Sequence, residues 1–291
     1  MAYGRYGVGV TSDNGEPVGD AAGEVTGEWG GVDIHFGEQG AKLTYGSYLQ
    51  LTTLLSAQHL KAHPSAHDEL LFITIHQAYE LWFQQLLYEA CTARDAIAAG
   101  EVWLAQHLLN RMHVIERVLV EQVDILETMT PQDFLKFREM LAPASGFQSV
   151  QFRELEFLSG AKDPSFVARF RGLTDDEASR LQRRLDEPSL WDVFVDFLAD
   201  RGLPAGSDDE LTASLRTVAH DRGSYAEIWQ LAEALLQHDE LAAGWRARHV
   251  TMVERMIGRK TGTGGSSGAT YLRSRLDLRY YPLLWDLRSS L

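Results

Sequence analysis

HDELLFITIHQAYELWF, residues 67–83, is the stretch whose reading decides the fold. Wound as a helix, it sets Phe72, His76, Tyr79 and Phe83 at spacings of four, three and four, so an imidazole stands in an apolar stripe. A second helical pattern, from Tyr225 to Ile257, repeats the feature with Trp245, His249, Met252 and Met256 on one face. Two readings are open. Either each histidine is a core residue hydrogen-bonded to a carbonyl, or something flat, apolar and metal-bearing lies between the two helices.

Outward from residues 67–83, helical patterns continue in both directions. The helix itself is expected from Asp68 to Ala98, with Gly100 ending it. Before it, residues 43–58 predict a short amphipathic helix rich in Tyr and Leu. After it, the positions Ala105, Leu108, Met112, Ile115, Leu119, Gln122 and Leu126 recur at threes and fours, which predicts a long bundle helix over Glu101 to Met129. Thr130 as N-cap, Pro131 at the first helical position and Asp133 in the first turn start another helix, which Pro143 ends. Residues 145–149, SGFQS, read as a polar turn. Capping-box spacings at Thr174 with Glu177 and at Ser224 with Glu227 open further helices. Pro188 starts one more, Arg201-Gly202 breaks it, and Gly258 is a left-handed C-cap for the last long helix. No alternating β-branched segment of strand length is found. The class is therefore all-α: one helical bundle over residues 41–291, preceded by an arm, residues 1–40, which carries 11 of the 25 glycines and is expected to be flexible.

Composition narrows the function. At 291 residues the chain buries a sizeable core, and its 45% hydrophobic and 23% charged residues are those of a globular protein. A net charge of −14 with no basic run argues against nucleic acid and anionic membranes. The longest apolar stretch, about six residues near Leu70, is far short of the ~20 a membrane span needs. A lone cysteine, Cys91, makes no internal disulfide, and the Gly-rich start has no signal-peptide pattern, so a cytoplasmic protein is expected.

Among metal chemistries, a di-iron carboxylate bundle needs paired Glu-x-x-His motifs, and none of the ten histidines has a glutamate three residues before it. A zinc hydrolase lacks its His-Glu-x-x-His. TGTGGSSG, residues 261–268, lacks the Lys-Ser/Thr of a phosphate loop; it is a flexible connector or a loop that approaches a ligand closely, with the hydroxyls of Thr263, Ser266 and Ser267. Haem remains open beside the two core histidines.

Five segments carry a resemblance: LTYGSYL (43–49), the opening stretch (67–83), FLKFREMLAPASGFQSVQFRELEF (134–157), RHVTMVERMIG (248–258) and KTGTGGSSGATYLRS (260–274). In these, and in their order, the chain resembles the tryptophan 2,3-dioxygenase family. The resemblance implies an all-helical enzyme with haem b, ferrous for activity. It is expected to be a homotetramer that adds both atoms of O₂ across the indole C2–C3 bond of L-tryptophan to give N-formyl-L-kynurenine. It implies His249 as the proximal haem ligand and His76 as the distal histidine that meets the indole N–H. Arg138 would clamp the substrate carboxylate, Thr263 its ammonium and carboxylate end, and Phe72 and Phe134 would wall the indole. Leu141, Ser145, Gly146 and Phe152 match pocket positions, Arg153 a propionate partner, and Tyr45, Tyr48 and Leu49 a helix laid over a neighbouring subunit's site. Phe134 and Phe152 stand where some members have tyrosine, and Val123 where members often carry a bulky aromatic. The alternative within enzymes is a relative acting on a substituted tryptophan, with insertion of a single oxygen atom as one option. A haem sensor without turnover has no use for an amino-acid clamp such as Arg138 with Thr263.

Overall fold

The computed structural model describes residues 26–29, 32–35, 43–170, 172–264 and 267–291. The chain divides into two compact units, Met1–Ala57 and Gln58–Leu291.

The first unit holds a two-stranded antiparallel hairpin, β1 (Thr26–Trp29) and β2 (Val32–His35), with Trp29 opposite Val32. Four-residue strands are too short to show alternation in sequence, and the other elements of the described chain are helical, so the all-α class holds. The remainder of the expected flexible arm lies outside the described residues. The helix expected over 43–58 is two single turns, α1 (Tyr45–Tyr48) and α2 (Leu51–Leu54). Gln50 separates them with φ 52°, a left-handed backbone that stops a helix; its side chain donates to the Ser47 carbonyl at 2.6 Å. Thr44 caps α1 in a reciprocal capping box with Ser47.

The second unit is helical. Its frame is three helices: α3 (His67–Ala98), α4 (Val102–Leu126) and, after the shorter elements, a long one near the C-terminus. Gly100, at φ 74°, permits the three-residue link between α3 and α4. On α3 the buried face runs Ile75, Tyr79, Phe83, Leu86, Ala90, Ala93 and Ile97, and the fully buried alanines let α4 approach closely. The α4 seam follows the expected spacing but passes through Val123, 2% exposed, rather than its neighbour Gln122.

The helix expected from Thr130 to Pro143 is broken into α5 (Pro131–Leu135) and a 3₁₀ turn, Arg138–Leu141. Phe137 interrupts it because its ring is drawn fully into the core, edge-on to Phe134 at 5.4 Å. The SGFQS turn is a 3₁₀ turn, Gly146–Gln148, closed by a Ser145–Gln148 capping box. There follow α6 (Val150–Ser159), α7 (Ser165–Arg169), α8 (Asp175–Asp186), α9 (Leu190–Asp200) and α10 (Asp208–His220). Thr174 and Glu177 form the expected box on α8, and Ser189, the residue after Pro188, caps α9. The long α11 (Ala226–Ile257) has no such box: the Ser224 N–H donates instead to Asp221 Oδ1 at 3.1 Å, a local turn that takes the cap's place. Gly258 ends α11 with φ 60°, and α12 (Ala269–Arg273) and α13 (Pro282–Leu287) complete the chain.

Buried polar side chains pin this frame. His238 on α11 lies 2.5 Å from Glu116 on α4 and 2.8 Å from Ser159 on α6. The Ser159 hydroxyl proton is committed to the Leu155 carbonyl, so His238 Nε2–H donates to it. Asp239 accepts from the Tyr280 and Tyr281 amides and from Trp285 Nε1, at 2.8, 3.1 and 2.9 Å, which ties the C-terminal segment to α11. Among the described residues no helix is long and apolar enough to cross a membrane.

Candidate functional site

One cavity of about 1510 Å³, its mouth included, opens between α3, α4, α6, α11 and the segments around residues 138–149 and 262–275. Tyr79, Phe83, Val123, Phe152, Trp245 and Met252 give it apolar walls.

His76 on α3 and His249 on α11 both line it. His76 Nδ1 lies 2.6 Å from the Phe72 carbonyl oxygen. A carbonyl only accepts, so Nδ1 carries the proton and, in the neutral ring, Nε2 is left as an acceptor. The ring is accessible because it faces the cavity, yet protein encloses it, and that enclosure pulls its pKa below the usual histidine value; the Phe72 bond and the Glu80 charge oppose the shift in part. Burial lowers His249 further, to about 4, with the nearby His76 adding to the effect. His249 is therefore a neutral imidazole at physiological pH. Its ring stacks on Trp245, centroids 5.0 Å apart and planes 15° from parallel, which fixes its orientation.

Arg138 and Thr263 reach the cavity from irregular segments. The Arg138 guanidinium donates to the Thr261 carbonyl, and Thr263 Oγ1 to the Ala144 carbonyl at 2.6 Å. Each segment thus holds the other by its backbone. Glycine is needed for this: a Cβ at Gly264 would come within 2.6 Å of Ser145 Cβ, and one at Gly268, with φ 61°, within 2.5 Å of the Lys260 carbonyl oxygen. Of the loop hydroxyls read from sequence, Ser267 is exposed and Ser266 lies outside the described residues.

Phe134, Ser145, Gly146, Phe152 and Arg153 also line the cavity. Phe72 and Leu141 are not among its lining. Phe72 packs behind it, 4.0 Å from the His76 ring and 5.7 Å from Phe134, and Leu141 packs against the core. Tyr45, Tyr48 and Leu49 belong to the first unit and are exposed, the two tyrosines at 77% and 71%. Sequence reading missed Glu80, Arg246, Tyr271 and Arg275. Glu80 had a signal, its position four residues beyond His76 on one helix, and Tyr271 lay inside the quoted 260–274 segment; Arg275 had none, because only tertiary folding returns it to the site.

The residues fit a haem. Among the described residues no group of three His, Cys, Asp or Glu side chains is gathered to hold a bare ion, so the lone His249 suits a metal that brings its other ligands with it. At the polar end stand Arg153 and Arg275, both over the Phe166 ring at 3.6 and 5.2 Å. Arg153 Nε and the Tyr271 hydroxyl are buried there without a hydrogen-bond partner, donors suited to a carboxylate such as a propionate. Burial brings the Arg153 guanidinium down to about 10, so it stays charged at neutral pH, paired with Glu156.

The sequence matches the family model described as Tryptophan 2,3-dioxygenase over residues 33–209 and 207–291. It is 69% identical over 262 residues to the tryptophan 2,3-dioxygenase of Nocardioides sp., a match spanning 89% of this chain and 98% of that one. It is 44% identical over 259 residues to that of Herpetosiphon aurantiacus, covering 86% and 98%, and 39% identical over 275 residues to that of Bacillus cereus, covering 90% and 96%.

Proposed function

Since the chain belongs to the tryptophan 2,3-dioxygenase family, we propose a reading of how its cavity performs that family's reaction. The chain is an oxidoreductase that incorporates O₂, opening the indole ring of L-tryptophan to N-formyl-L-kynurenine in tryptophan breakdown. Its relatives' names speak for tryptophan itself, not a substituted one. The finer assignments are proposals. His249 would hold a ferrous haem b, with Arg153 available to a propionate, and the group would supply the iron chemistry that activates O₂.

The chain's own residues bind and orient. Arg138 exchanges the neutral Thr261 carbonyl for the substrate carboxylate, a stronger, charge-assisted partner, while Thr263 turns from Ala144 to the zwitterionic end. Phe134 walls the indole, and Phe72 sets the His76 ring from behind. His76 Nε2 accepts the indole N–H. The apolar walls exclude water and keep the substrate in one orientation. The observation that carries this reading is the His76 tautomer: the Phe72 carbonyl leaves an acceptor nitrogen facing the cavity that also holds the neutral His249.

A homotetramer in the cytoplasm completes the proposal, with L-tryptophan and O₂ as its small-molecule partners. Large apolar side chains exposed on α3 and α4, among them Trp103, Tyr88, Val114 and Ile125, support association, and a single free cysteine, Cys91, suits a reducing compartment. Tyr45, Tyr48 and Leu49 are offered to a neighbouring copy's site. The test is anaerobic reduction of the haem-loaded protein, then O₂ with L-tryptophan, following N-formylkynurenine absorbance and product mass. A gain of two oxygen atoms is expected; a gain of one, or none, overturns the reading.

A further inference from the structure

Glu80 is a charged side chain to which the scheme above gives no task. It stands on α3 four residues beyond His76, where helical side chains are neighbours, and it lines the same cavity. Gln151 on α6 clamps it: one amide nitrogen lies 2.8 Å from the Glu80 carboxylate and 2.9 Å from the Glu80 carbonyl oxygen. Among the described residues the cavity lining has one other carboxylate, Glu156, and Arg153 neutralises it. Glu80 is instead held by a neutral amide. Glutamine would keep the Gln151 bond without the charge. The charge itself is what the fold alone does not call for.

We propose that Glu80 is a positioning residue for His76: clamped by Gln151, its fixed negative charge steadies the positive charge that the imidazole gains as it accepts the indole N–H. This rests on His76 facing the indole, as argued above. From the facing elements, Arg138, a cation, and His249, a neutral imidazole, also look into the cavity, and neither supplies a negative charge. Arg246, Arg275 and the Arg153–Glu156 pair line other parts of the wall, with the neutral hydroxyls of Tyr79 and Tyr271. Glu80 is the acidic neighbour on His76's own helix, and it already works against the burial that depresses the ring's pKa.

Glu80→Gln in the haem-loaded enzyme tests the idea, because glutamine keeps an acceptor for Gln151. Removing the negative charge lowers the His76 pKa, so the neutral ring persists to lower pH. The acid limb of kcat/KM is expected to move down by about half a pH unit, with kcat down about three- to tenfold and KM within about twofold. Glu80→Asp keeps the charge and is expected to keep the wild-type limb. In a His76→Ala background, Glu80→Gln is expected to cost nothing further. An unmoved acid limb, or a loss that adds in full to that of His76→Ala, overturns the proposal. So does a tenfold rise in KM for L-tryptophan with kcat unchanged, which would make Glu80 the ammonium's partner. If His76→Ala itself keeps the wild-type rate, the reading of the site fails; if it is slow while Glu80→Gln behaves as wild type, this proposal alone fails.

Discussion

The two histidines and the two substrate-end groups stand on opposite kinds of structure. His76 and His249 sit inside 32-residue helices, each packed along its length on α4. Arg138 opens a four-residue 3₁₀ turn, and Thr263 lies in a Gly-rich loop whose neighbours tolerate no Cβ. Long helices hold an atom's position through many buried contacts, whereas short turns are held by a few hydrogen bonds and reopen at little cost. The first suits a resident group that must not shift. The second suits a ligand that enters and leaves with each turnover, and the bonds from Arg138 to Thr261 and from Thr263 to Ala144 are ones a ligand can replace.

The sharpest break of this contrast is His249→Ala. With Trp245 stacked beneath an empty place and no second imidazole on α11 near it, stable haem uptake is expected to be lost, read as haem absorbance per protein. His76→Ala is expected to retain haem and lose rate. Full haem retention by His249→Ala would mean that the rigid half is not built around the metal. Arg138→Leu, on the yielding half, is the next largest effect. It is expected to raise KM for L-tryptophan about 100-fold or more, since breaking a buried charge pair costs about 3–5 kcal/mol and each ~1.4 kcal/mol is tenfold, with the haem spectrum unchanged. Unchanged kinetics would remove the clamp; a disturbed haem spectrum would show that the two halves are not separable.

The same division governs what the sequence made legible. The long helices were readable because period 3.6 persists over many turns, and Gly100 and Gly258, both at positive φ in the structure, follow the ends of α3 and α11. The breaks were not. Gln50 splits α1 from α2 in a backbone that glutamine seldom adopts, and Phe137 interrupts the helix after Thr130 to reach a core that only the folded bundle defines. Within the cavity, motif resemblance pointed to His76, His249, Arg138 and Thr263. Arg275 was hidden, because its partners come from α6 and α7, more than a hundred residues away.

If packing, rather than charge, makes the helical half rigid, removing the ion pair at the end of α4 will do little. Glu127 caps the end of α4 and receives a two-pronged bond from Arg248, at 2.6 and 2.7 Å, one residue before His249. Those bonds hold the Glu127 carboxyl below its ordinary pKa. A depressed carboxyl contributes stability that is present above its unfolded pKa and is lost as pH falls through the folded value. The effect of Glu127→Gln is therefore expected to be present at pH 7 and to fade as the medium is acidified below about pH 4. At pH 7 a half-buried pair at the protein surface contributes about 0.2–1 kcal/mol, so the melting temperature is expected to drop by about 1–3 °C. Thermal melts of wild type and Glu127→Gln from pH 7 to pH 3 measure both size and sign. A loss several times larger, or one that grows toward acid, would mean that α11 is held at His249 by charge, and the contrast between a packed half and a hydrogen-bonded half would have to be redrawn.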